Sequence, residues 1–128
     1  MSMTATPRVE TILLVEDKLP IRRLIRRALQ GCQVIEAPDA EHAMVAAERH
    51  ISEIDLLVTD VMLPDLDARD LAYCLGGIMK VLFVTRDTED RAGVRTGLRG
   101  RSILLNPFSP DELLRRIRLV LDPRPLPA

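Results

Sequence analysis

Several short apolar runs in this chain stop abruptly at polar residues that have useful chemistry. The run Leu-Leu-Val at 56–58 is typical of a strand buried on both faces, and it ends at Asp60. Pro64 follows closely and prevents the strand from continuing. A carboxylate in that position lies at the rim of a sheet, where other molecules can reach it. The other runs of this kind end in Glu16 and Asp17, in Thr85, and in Asn106.

If parallel strands bring these residues to one edge, three carboxylates meet in one pocket. Their repulsion raises at least one pKa unless a cation lies among them. Mg²⁺ is the abundant hard cation with oxygen ligands, and a carboxylate beside it can attack phosphorus to form an aspartyl phosphate. Thr85, at the end of the next strand, offers a hydroxyl that can bond a phosphoryl oxygen. The alternative is that Glu16, Asp17 and Asp60 are solvated loop acids. That explanation fits any one of the three residues, but it fits all three together poorly.

The elements that must position these residues follow from the hydrophobic pattern. Apolar runs alternate with helical patterns five times, which is typical of a parallel sheet with helices on both faces. We predict one doubly wound, flavodoxin-like α/β domain over residues 11–122, with strand order 2-1-3-4-5. In that order the four strands with polar endings are neighbours. Residues 1–10 and the proline-rich tail 123–128 are expected to be mobile.

Capping residues predict where the helices begin and end. Gly31 is expected to cap the C-terminus of the first helix. Asp39 and Asp67 are expected to cap the N-termini of the next two, and Ser109 to open a capping box on the last. The segment 88–99 contains two glycines and is expected to be a poor helix and the least ordered part of the domain.

Composition narrows the classes of function. The 128 residues carry 19 acids and 18 bases, so a net charge of −1 gives no overall attraction to nucleic acid or an anionic membrane. No run approaches the roughly 20 apolar residues of a membrane span, and no signal peptide is predicted. Cys32 and Cys74 form no motif and are expected to be reduced thiols. These features together predict a cytoplasmic protein.

Four stretches occur in order: Leu-Leu-Val-Glu-Asp, Asp-Leu-Leu-Val-Thr-Asp-Val-Met-Leu-Pro, Val-Leu-Phe-Val-Thr and Asn-Pro-Phe. Together they resemble the response-regulator receiver domain of two-component signalling, most closely receivers that occur alone or at the C-terminus of hybrid sensor kinases. The resemblance implies that Asp60 is the phosphoacceptor. It implies that Mg²⁺ is held by Glu16, Asp17, Asp60 and the backbone carbonyl of Met62. It also implies that Thr85 turns toward the phosphoryl group after transfer from a kinase histidine.

Four residues depart from the family pattern. Asn106 replaces the lysine that normally pairs with the phosphoacceptor, and Arg86 replaces a small residue after the switch threonine. Ile103 stands at the position of the switch aromatic, and Ala68 at that of a loop glycine. Either Mg²⁺ is the only cation in the pocket, or Arg86 supplies a guanidinium to the phosphoryl group. We favour a modest role for Arg86 over a solvent-facing loop arginine.

The first functional hypothesis is a single-domain response regulator that accepts a phosphoryl group from a histidine kinase or histidine phosphotransfer protein. It would relay the signal by protein contacts and would not be an enzyme. The alternative is a pseudo-receiver, a binding module whose pocket does not switch. A dehalogenase-like phosphatase would need an aspartate where Met62 stands.

A homodimer through the last three elements is also considered. The first helix carries four arginines that either dock a kinase or form a solvated face. They are Arg22, Arg23, Arg26 and Arg27.

Overall fold

The protein is described by a computed structural model for residues 9–85 and 102–122. Strands and helices alternate until β4, as the hydrophobic pattern predicts. The strands are β1 (Thr11–Val15), β2 (Gln33–Ala37), β3 (Leu56–Asp60), β4 (Lys80–Thr85) and β5 (Ile103–Leu105). The helices within these ranges are α1 (Leu19–Ala28), α2 (Ala40–Arg49), α3 (Ala68–Leu75) and α4 (Pro110–Leu121).

The five strands form one parallel sheet in the order β2-β1-β3-β4-β5. This confirms the predicted flavodoxin-like topology, in which β2 lies at one edge of the sheet. Its residues Gln33 and Glu36 are exposed, which suits a strand that pairs with one neighbour only. The register pairs Val15 with Thr59 and Asp60 with Val84, so β1, β3 and β4 end at nearly the same level.

Successive residues of the central strands point to opposite faces of the sheet, and each face has its own core. On one face, Leu14, Val58 and Leu82 pack with buried residues of α1 and α4, such as Ile25 and Leu113. On the other face, Leu13, Val15 and Leu57 pack with buried residues of α2 and α3, which are Ala43, Ala47, Leu71 and Leu75. The small alanine stripe lets α2 lie close to the sheet.

The predicted cap at Gly31 is wrong. Helix α1 ends at Ala28, and its C-cap is Leu29, whose N–H donates to the carbonyls of Ile25 and Arg26. Leu29 is almost fully buried, and its carbonyl accepts the N–H of Cys32 in the turn that leads to β2. Packing of Leu29 into the core therefore fixes the end of the helix.

The three predicted N-caps are confirmed. The Asp39 side chain accepts the N–H of His42 at 2.8 Å, and Asp67 accepts that of Arg69 at 2.8 Å. Ser109 and Glu112 form the reciprocal bonds of a capping box, both at 3.1 Å. Each cap satisfies backbone donors that have no partner inside the helix.

Asp65 ties the loop after β3 to the start of α2. Its two carboxylate oxygens accept the N–H groups of Ala40 and Glu41, each at 2.9 Å. Within the same loop, Met62 and Asp67, on either side of Asp65, form an isolated antiparallel bridge. The backbone that follows Asp60 is therefore held at several points, which restricts where the Asp60 carboxylate can move.

Some predictions fall outside the described residues. These concern Arg86, the segment 88–99, most of the N-terminal segment 1–10, and the tail 123–128. Of the last three elements considered for a homodimer, β5 and α4 are described. In the described ranges, none of the helices is long and apolar enough to cross a membrane.

The tie between the loop and α2 can be tested with Asp65→Ala, which leaves two helix N–H groups without their carboxylate. We expect a loss of about 1–2 kcal/mol in the free energy of unfolding, measured in urea. Glu48→Ala, an exposed change in the same helix, is the control and should shift stability by less than about 0.5 kcal/mol. Equal stability of the two variants would show that this tie contributes nothing.

Candidate functional site

Three carboxylates converge at the carboxyl edge of the sheet, as the strand endings predict. Glu16 and Asp17 follow β1, and Asp60 is the last residue of the adjacent β3. Each offers an oxygen, and these oxygens lie within 4.8 Å of one another. The convergence follows from topology, because neighbouring parallel strands of matched register end side by side.

Glu16 is the buried member of this group, with 3% of its surface exposed. Its backbone N–H donates to the Ala37 carbonyl of β2 at 3.1 Å, and its Oε2 accepts the N–H of Lys18 at 3.0 Å. Burial, aided by the nearby charges of Asp60 and Asp17, raises the pKa of Glu16 to about 7 in the metal-free protein. Near neutral pH this carboxyl is therefore poised between its two protonation states.

Asp60 is more accessible, with 16% of its side chain exposed. Its Oδ1 lies 3.4 Å from the N–H of Met62, which makes this a long hydrogen bond. Burial also raises the pKa of Asp60, against the opposing effects of the Met62 N–H and the Lys18 ammonium. Met62 itself is largely exposed beside the pocket. A carboxylate that other molecules can reach suits a nucleophile.

Thr85 and Asn106 lie at the same edge, on the far side of Asp60. Thr85 follows Val84, the register partner of Asp60, and is 7% exposed. The N–H of Asn106 donates to the Thr85 carbonyl at 2.7 Å, so β4 and β5 end together. Ile103, at the position of the family's switch aromatic, packs beside Phe83 instead of projecting as a large exposed ring.

Lys18 is the functional candidate that the sequence reasoning missed. Its Nζ lies 3.6 Å from Asp17 Oδ1 and 4.0 Å from Asp60 Oδ2. The available signal was a lysine directly after two acids predicted to face one pocket. Its side chain is 47% exposed, so apolar periodicity gives no indication of where it points.

The arginines of α1 divide into two groups. Arg22 donates from Nε to Glu36 Oε1 at 3.1 Å and from a terminal nitrogen to the Glu16 carbonyl at 2.9 Å, while Arg26 also pairs with Glu36. Arg22 therefore helps to hold the backbone of a pocket residue, a role that the docking hypothesis did not include. Arg23 and Arg27 are exposed and still fit either docking or a solvated face.

Comparison with known proteins agrees with this arrangement. Residues 12–118 match the family described as the response regulator receiver domain. The chain belongs to that family. The receiver from the hybrid histidine kinase CckA superposes with a TM-score of 0.71 at 32% identity, covering 88% of this chain and 99% of that one. The chemotaxis protein CheY4 of Vibrio cholerae gives a TM-score of 0.77 at 24% identity, covering 89% and 100%, which supports the fold alone.

Among curated relatives, this receiver is 34% identical over 119 residues to the probable transcriptional regulatory protein TcrX of Mycobacterium tuberculosis. The match covers 87% of this chain and 49% of TcrX. The chain spans about half the length of the curated relatives it matches.

Receiver domains bind Mg²⁺ at an acidic pocket, and the residues here fit such an ion. The donors are all oxygens, which hard divalent cations prefer. Burial raises the pKa of two of them, Glu16 and Asp60, in the metal-free protein. A cation would relieve the cost of ionising them together.

Burial of Glu16 predicts a pH dependence of stability in EDTA. Between the ordinary glutamate pKa of 4.5 and the folded value of about 7, the unfolded chain releases this proton while the folded protein keeps it. The free energy of unfolding should therefore decline as pH rises from about 5 to 8, by on the order of 3 kcal/mol.

Glu16→Gln isolates this effect, because its side chain stays neutral. The difference in urea stability between Glu16→Gln and wild type should grow in favour of the variant across the same range. A difference that stays constant with pH would contradict a raised pKa at this position.

Mg²⁺ should stabilise the wild type by about 1.4 kcal/mol at ~10 times its Kd. Asp60→Asn should respond less to Mg²⁺, and in EDTA it should be more stable than wild type because one repelling charge is gone. Thermal melts with and without Mg²⁺ measure both effects. Asp70→Asn, an exposed change on α3, should behave like wild type; equal Mg²⁺ effects on all three proteins would argue against the site.

Proposed function

We propose that the protein is a response-regulator receiver that accepts a phosphoryl group on Asp60 from a histidine kinase or histidine phosphotransfer protein. The observation that supports this most is the accessible Asp60 carboxylate beside Glu16 and Asp17, in a chain of the receiver family. Receivers interact with such histidine phosphodonors. A cytoplasmic location belongs to the proposal, as the sequence features predict.

In the proposed reaction, an Asp60 carboxylate oxygen forms a bond to phosphorus as the bond from phosphorus to the histidine nitrogen breaks. The nitrogen keeps the electron pair of that bond. Mg²⁺, held by Glu16, Asp17, Asp60 and the Met62 carbonyl, would neutralise charge on the phosphoryl oxygens. Thr85, at the end of the adjacent strand, would bond one of those oxygens. The protein is thus proposed to be a phosphoacceptor and not an enzyme with a separate substrate.

We also propose that the signal leaves through protein contacts. The net charge of −1 provides no overall attraction for nucleic acid. The relative TcrX is named as a transcriptional regulatory protein, and this chain spans about half of it. A DNA-binding role would show as retention of a labelled duplex that weakens with salt, which we do not expect.

The second candidate is a pseudo-receiver that binds a partner without switching. Asn106 and Ile103 favour it, because both stand where the family places residues that couple phosphorylation to the surface. It would keep the fold and helix α1, the helix considered for kinase docking. Its affinity for a partner would not change on phosphorylation.

The proposal is tested by intact-mass analysis after incubation with acetyl phosphate and Mg²⁺. Wild type should gain one phosphoryl group, and labelling should fail in EDTA or in Asp60→Asn. Asp70→Asn should label like wild type. No label on wild type, or an equal label on Asp60→Asn, would contradict phosphoacceptance at Asp60.

A further inference from the structure

The pocket contains a positively charged side chain, but it lies on the opposite side from the position where the family pattern has a lysine. At the end of β5, Asn106 provides a neutral side chain. At the end of β1, the Lys18 ammonium lies 4.0 Å from Asp60 and 3.6 Å from Asp17. The nearest described positive charge to Asp60 therefore comes from the loop between β1 and α1.

We propose that Lys18 supplies the ammonium that binds the phosphoryl group on Asp60, in place of a lysine at position 106. This inference rests on the proposed function. It makes Lys18 a phosphoryl-binding residue, which differs from the earlier expectation that Arg86 provides the charge.

The backbone of Lys18 is fixed while its tip is free to move. Its N–H donates to Glu16 Oε2 at 3.0 Å, and its carbonyl accepts the N–H of Arg22 at 2.9 Å as the N-cap of α1. The ammonium, by contrast, lies beyond normal hydrogen-bond distance of both carboxylates and is about half exposed. A flexible four-carbon stem on a fixed base can turn the charge toward a new anion at Asp60.

The charge of Lys18 has opposite effects on the two ligands of the pocket. An ammonium near the acidic cluster opposes a divalent cation but attracts the oxygens of a phosphoryl group. An exposed lysine with no role would affect neither. Loss of Lys18 should therefore leave Mg²⁺ affinity unchanged or higher and should weaken binding of a phosphoryl mimic.

Lys80 provides a matched control, because it is the other lysine in the chain. It begins β4, whose opposite end carries Thr85 at the pocket edge, and its Nζ donates to the Leu121 carbonyl at 3.1 Å. Lys80→Gln removes the same charge from the far edge of the sheet. Any effect of net charge alone will appear equally in Lys18→Gln and Lys80→Gln.

The experiment measures the affinity of beryllofluoride, a mimic of the phosphoryl group, by fluorine NMR at saturating Mg²⁺, and Mg²⁺ affinity separately by calorimetry. Lys18→Gln should weaken beryllofluoride binding about tenfold, as expected for one lost charged hydrogen bond. It should not weaken Mg²⁺ binding. Asn106→Lys in the Lys18→Gln background should restore beryllofluoride affinity, and Lys80→Gln should match wild type.

The outcomes separate the two proposals. Wild-type affinity in Lys18→Gln, or an equal loss in Lys80→Gln, overturns the role of Lys18 and leaves the proposed function intact. A loss that occurs instead in Arg86→Ala, with Lys18→Gln unaffected, assigns the charge to Arg86. Failure of wild type itself to bind beryllofluoride with Mg²⁺ overturns both the proposed function and this inference.

Discussion

Mutual repulsion among three carboxylates is the constraint on which the site depends. The sheet topology places Glu16, Asp17 and Asp60 at one edge, and burial of Glu16 prevents water from screening them fully. In the metal-free pocket, the burial of Glu16 together with the charges of Asp60 and Asp17 raises the pKa of Glu16, and a lysine lies nearby. The pocket is therefore suited to bind a cation. A carboxylate nucleophile beside a bound cation is suited to phosphoryl transfer.

The scaffold keeps these charges together although they repel. Asp65 fastens the loop after β3 to α2, and Arg22 links the Glu16 carbonyl to Glu36 on the edge strand. Both attachments are made by side chains outside the acidic group. Electrostatic cost at the pocket is thus offset by helix capping and ion pairing around it, together with the two cores that hold β1 and β3 in register.

Much of this arrangement is predictable from the sequence, because strand endings need only hydrophobic periodicity and a topology rule. The strand order, the edge position of β2 and the convergence on Asp60 all follow in that way. The roles of Lys18 and Arg22 could not be predicted in that way. A long polar side chain gives no periodic signal, and its direction depends on its tertiary neighbours. The cap predicted at Gly31 was wrong for a related reason. Helix α1 ends where Leu29 is buried in the core, and the local preference for glycine does not decide its end.

The most direct test of the account is a crystal structure with Mg²⁺ and beryllofluoride bound. We expect Mg²⁺ within about 2.1 Å of oxygens from Glu16, Asp17 and Asp60, beryllium on an Asp60 oxygen, and Lys18 Nζ within hydrogen-bond distance of a fluorine. Mg²⁺ bound elsewhere, or a beryllofluoride contacted by no lysine, would contradict it.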